Sequence, residues 1–480
     1  MNRYLTYQEN ELLFEDVALS EIAEEMYTPF YVYSKAAIFE KIEALKQAFA
    51  DAKPMLAFSM KALDTSGILK ILLERGCGLE VENVNEIQRA QGCGYESTAV
   101  VFNSYGFSER EIPVILKKRP LIINISNIFD LEPLNKYASE LNIGVRIGLK
   151  VNPGIDVGGF HGTNTGASDS RFGLRRDEFK LALALIKKYP QLNLVGLAAH
   201  LGSQVVQLAP WVKMAEEMAK LYKEVAAQDF NLEYLDLGGG FPVEYGKSDF
   251  LEIKKIARNV IPHIKDLDCR LVLEPGRYFT AEAGVLVTSV LGVKDAGSRT
   301  FVICDAGFSE FPRSSLYRIS HDVVNVRQQA VCTETPGQAF AASDSAEPVE
   351  AGGPIDPSLS GMLMPGLTEP AGLHSPPVID ADGMIPLHPV GKPAKVHVVG
   401  PGGEDLDYLA HDVEICIPKR GELLAVLNVG AYGRTLSNNY ASRSRPPEVL
   451  IERDKFEIIR SRETIDDLVA CDFLETGIET

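Results

Sequence analysis

The sequence is short of several features that mark whole classes of protein. Its seven cysteines are scattered without CxxC spacing, which argues against a disulfide framework and against a zinc or other metal site. Positive charge is scarce, and the net charge of −18 disfavours nucleic acid and anionic membranes as partners. No apolar run reaches the length of a membrane span, and the start lacks the pattern of a signal peptide. We therefore expect a cytoplasmic protein that holds any anionic ligand with local groups.

The 480 residues do contain a regular alternation of short apolar runs and helical patterns. It begins at residues 31–33, where an apolar run leads into an amphipathic helix. Eight strand candidates then alternate with helices, at residues 55–60, 78–81, 99–102, 121–125, 145–151, 194–199, 234–237 and 270–273. Eight such units over roughly 250 residues are typical of a (β/α)8 barrel. The sequence therefore predicts the α/β fold class, with a (β/α)8 TIM-type barrel over residues 31–277.

The pattern changes after Tyr278, where strand candidates follow one another without helices between them. This arrangement predicts a mostly antiparallel β-domain. We assign residues 1–30 and 278–480 to it. Residues 336–393 are rich in Pro, Gly, Ala and Ser and lack periodicity, so we interpret them as a flexible insertion or a long surface loop.

Several polar features fall at the carboxyl ends of predicted barrel strands, which is where such barrels carry their chemistry. Lys61 ends one strand candidate, His200 follows another, and three glycines at 238–240 and Glu274 follow two more. Glycine lacks Cβ, so its backbone amides can approach a phosphate closely. A solvated lysine, a rim histidine or a tight glycine turn would each be ordinary alone. Lys61, His200, the three glycines and Glu274 are four such features at one predicted rim, and together they indicate a ligand site.

Together these side chains suit pyridoxal 5′-phosphate. A lysine such as Lys61 can form a Schiff base with the aldehyde, and His200 can stack on the ring. Ser203 and the glycine amides can hold the phosphate. Glu274 can pair with the pyridine nitrogen and keep it protonated, so that the ring accepts electrons. We therefore predict Lys61, His200 and Glu274 as the catalytic residues.

At this point the sequence resembles the fold-type III pyridoxal-phosphate decarboxylases, and the diaminopimelate decarboxylases among them most of all. The resemblance runs from about Tyr31 to near the end of the chain, interrupted by residues 336–393. The segments that carry it are Ala-Phe-Ser-Met-Lys-Ala at 57–62, His-Leu-Gly-Ser-Gln at 200–204, Leu-Gly-Gly-Gly-Phe-Pro at 237–242, Glu-Pro-Gly-Arg at 274–277, Asp-Ala-Gly at 305–307, Pro-Arg-Ser-Ser-Leu-Tyr at 312–317 and Gly-Ala-Tyr-Gly at 430–433. Each segment alone is weak, but jointly they are highly specific.

The resemblance implies a barrel followed by a β-domain, in a head-to-tail homodimer with both active sites at the interface. It implies that Lys61 carries the cofactor, that Glu274 contacts the pyridine nitrogen and that His200 faces the ring. The further cofactor-binding residues that it implies are Ser203, Gly239, Gly240, Gly276, Arg277 and Tyr432. The substrate-binding residues that it implies are Arg277, Arg313, Tyr317 and Tyr432. Two arginines suit a substrate with more than one carboxylate, because guanidinium binds carboxylate bidentately.

The chain departs from the family pattern at a few positions. Gly403 stands where the family has a cysteine that reaches into the partner's site, and Glu404 is the nearest substitute for substrate recognition. Glu80 replaces a usual aspartate, and Lys150 a common arginine.

These departures leave cofactor binding intact and bear on the substrate. The resemblance implies decarboxylation of an amino acid, meso-diaminopimelate to L-lysine and CO₂ in the first place. A decarboxylase of specialised metabolism, acting on another carboxylated amine or a carrier-linked amino acid, remains an alternative. So do a catalytically silent regulatory homologue and a racemase with the same barrel.

Overall fold

The computed structural model describes residues 3–158, 161–245, 250–328 and 391–472. Its strands are β1 Leu5–Gln8, β2 Glu11–Phe14, β3 Val17–Ala18, β4 Phe30–Ser34, β5 Met55–Ser59, β6 Gly78–Val81, β7 Val100–Ser104, β8 Ile122–Ile125, β9 Val145–Val151, β10 Leu192–Ala199, β11 Tyr234–Asp236, β12 Arg270–Leu273, β13 Gly284–Asp295, β14 Thr300–Cys304, β15 Val323–Asn325, β16 Pro393–Val399, β17 Tyr408–Cys416, β18 Leu423–Val426, β19 Glu448–Glu452 and β20 Lys455–Arg460. Its helices are α1 Leu19–Met26, α2 Lys35–Ala48, α3 Ser66–Glu74, α4 Val84–Gly92, α5 Ile112–Lys118, α6 Leu131–Glu140, α7 Arg176–Ile186, α8 Leu208–Ala226, α9 Ile253–Ile264, α10 Arg277–Thr280, α11 Arg313–Tyr317 and α12 Ile465–Val469. Among these helices we find none with the length and apolar character that a bilayer crossing requires.

Strands β5 to β12 form a closed parallel barrel in chain order, with β12 pairing back onto β5 through Val272 and Met55. All five residues of β5 are buried. Such continuous apolar runs are expected of parallel strands, because the side chains face the packed interior on one side and the covering helices on the other. The (β/α)8 prediction is confirmed.

The two halves of the barrel interior differ in chemistry. The half at the amino ends of the strands holds an apolar cluster of buried side chains, namely Met55, Ala57, Val101, Ile122, Val195, Tyr234 and Val272. Towards the carboxyl ends the buried side chains become polar or charged, namely Glu80, Asn103, Asn124, Lys150, Asp236 and Glu274. A buried polar group must find a partner there or be destabilising. The sequence of the strands thus concentrates reactive groups at one rim.

The second domain is built on a nine-stranded sheet in the order β17-β16-β14-β13-β4-β19-β20. Strand β18 also pairs with β13, and β15 pairs with β18. Most pairs are antiparallel, and β14–β16 and β4–β19 are parallel. One boundary expectation is wrong. Strand β4, which the sequence analysis assigns to the barrel, pairs with β13 and β19 and so belongs to this sheet.

The second domain also supplies part of the rim. Helix α11 carries Arg313 to the cavity at the barrel mouth, and Tyr432 lies in the loop after β18. The Tyr432 amide donates to the Ala62 carbonyl at 2.9 Å, which fixes the loop beside Lys61. Residues 329–390, which include nearly all of the predicted insertion, lie outside the described residues.

Candidate active site

A cavity of about 280 Å³ opens at the carboxyl end of the barrel and adjoins a narrower one of about 50 Å³. The predicted residues that line both are Lys61, His200, Ser203, Arg277 and Tyr432. Those that line only the narrower cavity are Gly239, Gly240, Glu274 and Gly276. Those that line only the larger one are Arg313 and Tyr317. The structure therefore brings together every predicted site residue except Glu404.

Lys61 lies in a single 3-10 turn directly after β5, so its side chain enters the cavity at the strand end. Its Nζ contacts the Glu82 carboxylate and lies 3.7 Å from Glu80 Oε2. Burial disfavours the ammonium form, but Glu80, Tyr105 and Glu82 outweigh burial and hold the pKa of Lys61 well above its ordinary value. In this arrangement Lys61 is a protonated, carboxylate-bound amine.

Glu274 lies at the end of β12, where its carboxylate is buried. Asn103 donates one hydrogen bond to Glu274 Oε1 at 2.8 Å and another to Glu80 Oε1 at 2.9 Å. Burial raises the pKa of Glu274 against the opposing charge of Lys150. Burial and the Glu274 charge raise the pKa of Asp236 well above its usual range. The floor of the narrower cavity is thus a linked set of carboxyl groups that favours a protonated partner.

His200 follows β10 and lines both cavities. Its Nδ1 accepts a hydrogen bond from the Gly239 amide at 3.1 Å, so the ring proton lies on Nε2. Burial, with the positive charges of Lys150 and Lys61, lowers the pKa of His200 to about 3. The ring is therefore neutral at physiological pH and presents an uncharged aromatic face.

The glycine loop differs in detail from the expected set of free amides. The Gly238 amide donates to Asp236 Oδ1 at 2.8 Å, and the Gly239 amide donates to His200. These two donors are occupied because acceptors lie beside the loop. The glycines are nonetheless required sterically, since a Cβ at Gly239 would overlap the Glu274 carbonyl and one at Gly240 would overlap the Gly202 carbonyl.

Arg277 is held by a hydroxyl on each side. Its Nε and Nη2 donate to Ser203 Oγ at 3.2 and 2.8 Å, and its Nη1 donates to Tyr245 Oη at 2.8 Å. Its guanidinium lies 5.1 Å from the centre of the Tyr432 ring. The predicted phosphate ligand Ser203 and the predicted substrate ligand Arg277 are therefore bonded to each other.

Arg313 is in the opposite situation. It is only 2% exposed, and its Nε and Nη2 have no hydrogen-bond partner among the described residues. Its guanidinium lies between the rings of Tyr245, Tyr317 and Tyr432, at 5.9, 5.5 and 5.7 Å from their centres. Burial and the charge of Arg277 lower the pKa of Arg313 to about 10. Arg313 also lines the larger cavity, so a carboxylate that reached this buried cation would supply the acceptor that Nε and Nη2 lack.

Glu404 lies elsewhere in its own chain. It is exposed, contacts the hydroxyl of Tyr440, and lines a small separate cleft with Phe308 and Ser309. A Cβ at the neighbouring Gly403 would meet nothing within 4 Å. The predicted contact between Glu404 and the substrate is therefore not formed within a single chain.

The structure adds residues that the sequence reasoning did not place in the site. Lys150 is buried, and its Nζ donates to the Tyr105 hydroxyl at 3.1 Å. Asn103 and Asp236 are bonded to lining or loop residues, since Asn103 donates to Glu274 and Asp236 accepts from the Gly238 amide. A polar residue inside an otherwise apolar strand was the available signal, as in Val-Val-Phe-Asn-Ser and Tyr-Leu-Asp. Glu82, one residue beyond β6, and Tyr105, one residue beyond β7, are further additions to the lining.

These residues fit pyridoxal phosphate. The narrower cavity is bounded by Lys61 at one side and by Gly240 and Gly276 at another, where a Cβ on either glycine would crowd its neighbours. A neutral imidazole lies on its wall, and Glu274 lies on its floor. This cofactor requires an amine, an aromatic face, glycines that let the backbone come close to the phosphate, and a buried carboxylate.

Comparison with known proteins agrees with this chemistry. Residues 35–281 match the family described as pyridoxal-dependent decarboxylase, pyridoxal binding domain. Diaminopimelate decarboxylase from Aquifex aeolicus is 30% identical over 98% of this chain and 97% of its own, and that from Pseudomonas aeruginosa is 30% identical over 97% of each. A crystal structure of diaminopimelate decarboxylase from Helicobacter pylori complexed with L-lysine matches with a TM-score of 0.78, at 28% identity over 94% of this chain and 98% of its own. The chain therefore belongs to the pyridoxal-dependent decarboxylase family.

Proposed function

We propose that this protein decarboxylates meso-diaminopimelate to L-lysine and CO₂ with pyridoxal 5′-phosphate. The observation that carries the proposal is Arg313, a buried guanidinium with two unused donors on the wall of the larger cavity. Leaving a buried charged donor without a partner destabilises a fold by about 1–3 kcal/mol or more. A carboxylate would satisfy both donors at once.

The substrate must then carry a carboxylate besides the one that leaves. Diaminopimelate has one at each end, whereas lysine, ornithine and arginine have a single carboxylate. The relatives from Aquifex aeolicus and Pseudomonas aeruginosa bear the name diaminopimelate decarboxylase, and the Helicobacter pylori structure contains L-lysine, the product of that reaction. Both support the substrate assignment.

When bound, pyridoxal phosphate supplies an electron sink conjugated with the amino group of the substrate. Lys61 is placed to hold the cofactor aldehyde and to exchange with the substrate amine, because it lines both cavities. Glu274, which accepts a hydrogen bond from Asn103, would hold the ring nitrogen of the cofactor in its protonated form. The neutral His200 imidazole would lie against the cofactor ring without adding a positive charge there.

The remaining residues position the substrate and the cofactor phosphate, and Lys61 handles a proton. Arg313 and Tyr317 hold the distal carboxylate, and Tyr432 closes the cavity from the second domain. Gly240, Gly276 and the Ser203 hydroxyl hold the phosphate. When it is not bonded to the cofactor, the Lys61 side chain would be an ammonium in the cavity wall and could return a proton to the substrate carbon.

The active form that we propose is a homodimer in the cytoplasm. An exposed apolar patch lies beside the cavity, formed by Leu316, Leu406 and Tyr440, which are 52%, 66% and 50% exposed. Ser315 donates to the Leu406 carbonyl, so α11 and the loop that carries Glu404 form one surface. A second copy on this patch would cover it and would bring its own Glu404 loop near the neighbouring cavity. Sedimentation of wild type and of Leu406→Asp tests this, with a dimer expected only for wild type.

The decisive experiment for the reaction is CO₂ release by the purified protein with added pyridoxal phosphate. The substrates are meso-diaminopimelate, lysine, ornithine and arginine, and Lys61→Ala is the inactive control. We expect release from diaminopimelate and formation of lysine. Release from one of the other three, with diaminopimelate inert, would contradict the substrate assignment and leave the cofactor assignment standing.

A further inference from the structure

A buried ion cluster joins the barrel to the second domain close to Lys61. Arg434 is buried and lies in a 3-10 turn two residues after Tyr432. Its Nη1 donates to Asp64 Oδ1 at 3.1 Å, and its Nε lies 3.0 Å from Glu448 Oε1. Asp64 follows Lys61 by three residues in the barrel, whereas Glu448 begins β19 of the second domain. One guanidinium therefore bridges a carboxylate of each domain.

The segment that follows Lys61 is held from the second domain at three successive points. Lys61 itself lies in the 3-10 turn of residues 60–62, which we name the Lys61 turn. The three contacts are the bond from the Tyr432 amide to the Ala62 carbonyl at 2.9 Å, the bond from Arg434 to Asp64, and the bond from the Thr65 hydroxyl to Glu448. The position of Lys61 therefore depends on the second domain as well as on β5.

Tyr432 needs support from its neighbours because its backbone is strained. Its φ is +58°, in the left-handed region that residues with a side chain rarely adopt. A strained residue of this kind persists only where the surrounding structure holds it. The centre of its ring lies 5.1 Å from the Arg277 guanidinium and 5.7 Å from that of Arg313. Arg434, two residues further along the chain, is one of the groups that hold Tyr432 against these arginines.

Stability alone is a weak reason for such a cluster. Glu448 is 0% exposed, and burial raises its pKa while the charge of Arg434 opposes that rise. The cost of taking two charges out of water is comparable to their attraction, so a buried ion pair contributes little net stability. The best-attested use of a buried polar contact is to fix one register between two elements. The elements that Arg434 joins are the Lys61 turn and the loop that carries Tyr432.

We propose that Arg434 is a positioning residue, which holds the Lys61 turn and Tyr432 in a fixed relation across the two domains and so sets the affinity for the cofactor and the rate of the reaction. The inference rests on the proposed function and adds to it a residue outside the cavities. The described residues that line the two cavities do not include Arg434, Asp64 or Glu448. Arg434 therefore acts through Lys61 and Tyr432, not on the reacting atoms.

The test measures cofactor affinity in the full-length protein. Arg434→Met removes the charge and keeps much of the apolar stem. We expect the Kd of pyridoxal phosphate, from absorbance titration, to rise by about 10- to 100-fold, because Lys61 no longer meets the aldehyde in one position. At saturating cofactor, kcat for CO₂ release should fall by about tenfold, while KM for diaminopimelate stays within about threefold because Arg313 is carried by a separate helix.

Two further variants separate position from charge. Arg434→Lys keeps the charge, but its single ammonium lacks the fork of donors with which the guanidinium reaches both carboxylates. We expect it to restore the free energy of unfolding more fully than the cofactor affinity. Asp64→Asn leaves the pair of Arg434 with Glu448 in place, and here the Kd should rise by about three- to tenfold. The control Arg146→Met loses two bonds to Glu233 at the amino end of β9 and should keep the wild-type Kd.

The outcomes separate a positioning role from a structural one. A wild-type cofactor Kd and kcat in Arg434→Met, with only the free energy of unfolding lowered, would overturn the proposal. Full recovery of Kd and kcat in Arg434→Lys would overturn the bridging role. If Arg434→Met does not fold, Asp64→Asn decides, and a wild-type Kd there overturns the proposal. Absence of CO₂ release from diaminopimelate by the wild type would instead overturn the proposed reaction, while the cofactor Kd still reports on Arg434.

Discussion

Arg277 donates two hydrogen bonds to the single hydroxyl oxygen of Ser203, from Nε at 3.2 Å and from Nη2 at 2.8 Å. With its third bond to Tyr245, this guanidinium is largely satisfied by the protein. Arg313, on the same cavity, has Nε and Nη2 without partners among the described residues. The two arginines that the family resemblance groups together therefore have different tasks. We propose that Arg277 organises the cavity wall and that Arg313 binds the anionic group of the ligand.

The bond between Arg277 and Ser203 is testable through stability. Ser203→Ala leaves two buried donors of Arg277 without an acceptor, so we expect the free energy of unfolding to fall by about 1–3 kcal/mol. Urea unfolding measures it, with Ser139→Ala as control, because the Ser139 hydroxyl bonds only to a carbonyl of its own exposed helix. Equal stability of the two variants would show that the Arg277 donors find another acceptor.

Lys61 is expected to be the residue that bonds the cofactor. Lys61→Ala should lose the visible absorbance of the bound aldehyde and all CO₂ release. Lys46→Ala is the matched control, since Lys46 is also 38% exposed but lies on α2 and donates to the Arg75 carbonyl. If the Lys61→Ala protein kept the absorbance band, another amine would have to carry the cofactor.

Asn103 links the two carboxylates of the cavity floor through one amide nitrogen. Asn103→Leu preserves the approximate shape and removes both of these hydrogen bonds, so Glu80 and Glu274 lose a donor in a buried site, and it also removes the bond that the Asn103 amide oxygen accepts from Asn124 at 3.0 Å. We expect a loss of about 2–5 kcal/mol in the free energy of unfolding. The control is Asn259→Leu, where an exposed amide bonds only to the Lys255 carbonyl. If Asn103→Leu lowered the free energy of unfolding no more than Asn259→Leu does, the stabilising role of Asn103 between Glu80 and Glu274 would be refuted.

His321 predicts a pH dependence of stability. Burial and the neighbouring charge of Arg313 lower the pKa of His321 to about 3, whereas an unfolded histidine titrates near 6.5. Between these values the unfolded chain binds one more proton at this residue, so its stabilising contribution is present above about pH 6.5 and is lost as the pH falls. His321→Gln should reduce the slope of the unfolding free energy against pH between 4 and 6 by about 1.4 kcal/mol per unit. If the unfolding free energies of wild type and His321→Gln had the same slope against pH between 4 and 6, the prediction would be contradicted.

The barrel could be predicted from the sequence because its evidence is local. Each buried strand is a continuous apolar run, and each helix shows its own periodicity, so alternation alone indicates the fold. Strand β4 shows the limit of that logic. Its five buried residues, Phe30–Ser34, have the pattern of a barrel strand, but its hydrogen bonds go to β13 and β19, which lie far along the chain.

In the site, too, the local features could be predicted and the long-range contacts could not. Lys61, His200 and Glu274 could be placed because they stand at strand ends, where the barrel geometry gathers them. The partner of each donor could not be derived. The sequence does not reveal that His200 accepts a hydrogen bond from the Gly239 amide, or that the Ser203 hydroxyl accepts from Arg277. Glu404 is expected at the substrate but lies in a separate cleft of its own chain, because its place in a motif does not show which surface its loop faces.

The most direct test of the account is the effect of Arg313→Ala on the choice between two substrates. We measure kcat/KM for CO₂ release from meso-diaminopimelate and from racemic lysine, which lacks the second carboxylate, in the wild type and the variant. Arg176→Ala, an exposed arginine on α7, is the control. We expect kcat/KM for diaminopimelate to fall by about 100- to 10,000-fold in Arg313→Ala, since two charge-assisted hydrogen bonds are lost, and the preference over lysine to collapse. A variant that turns over diaminopimelate within threefold of wild type, with its preference intact, would contradict the account.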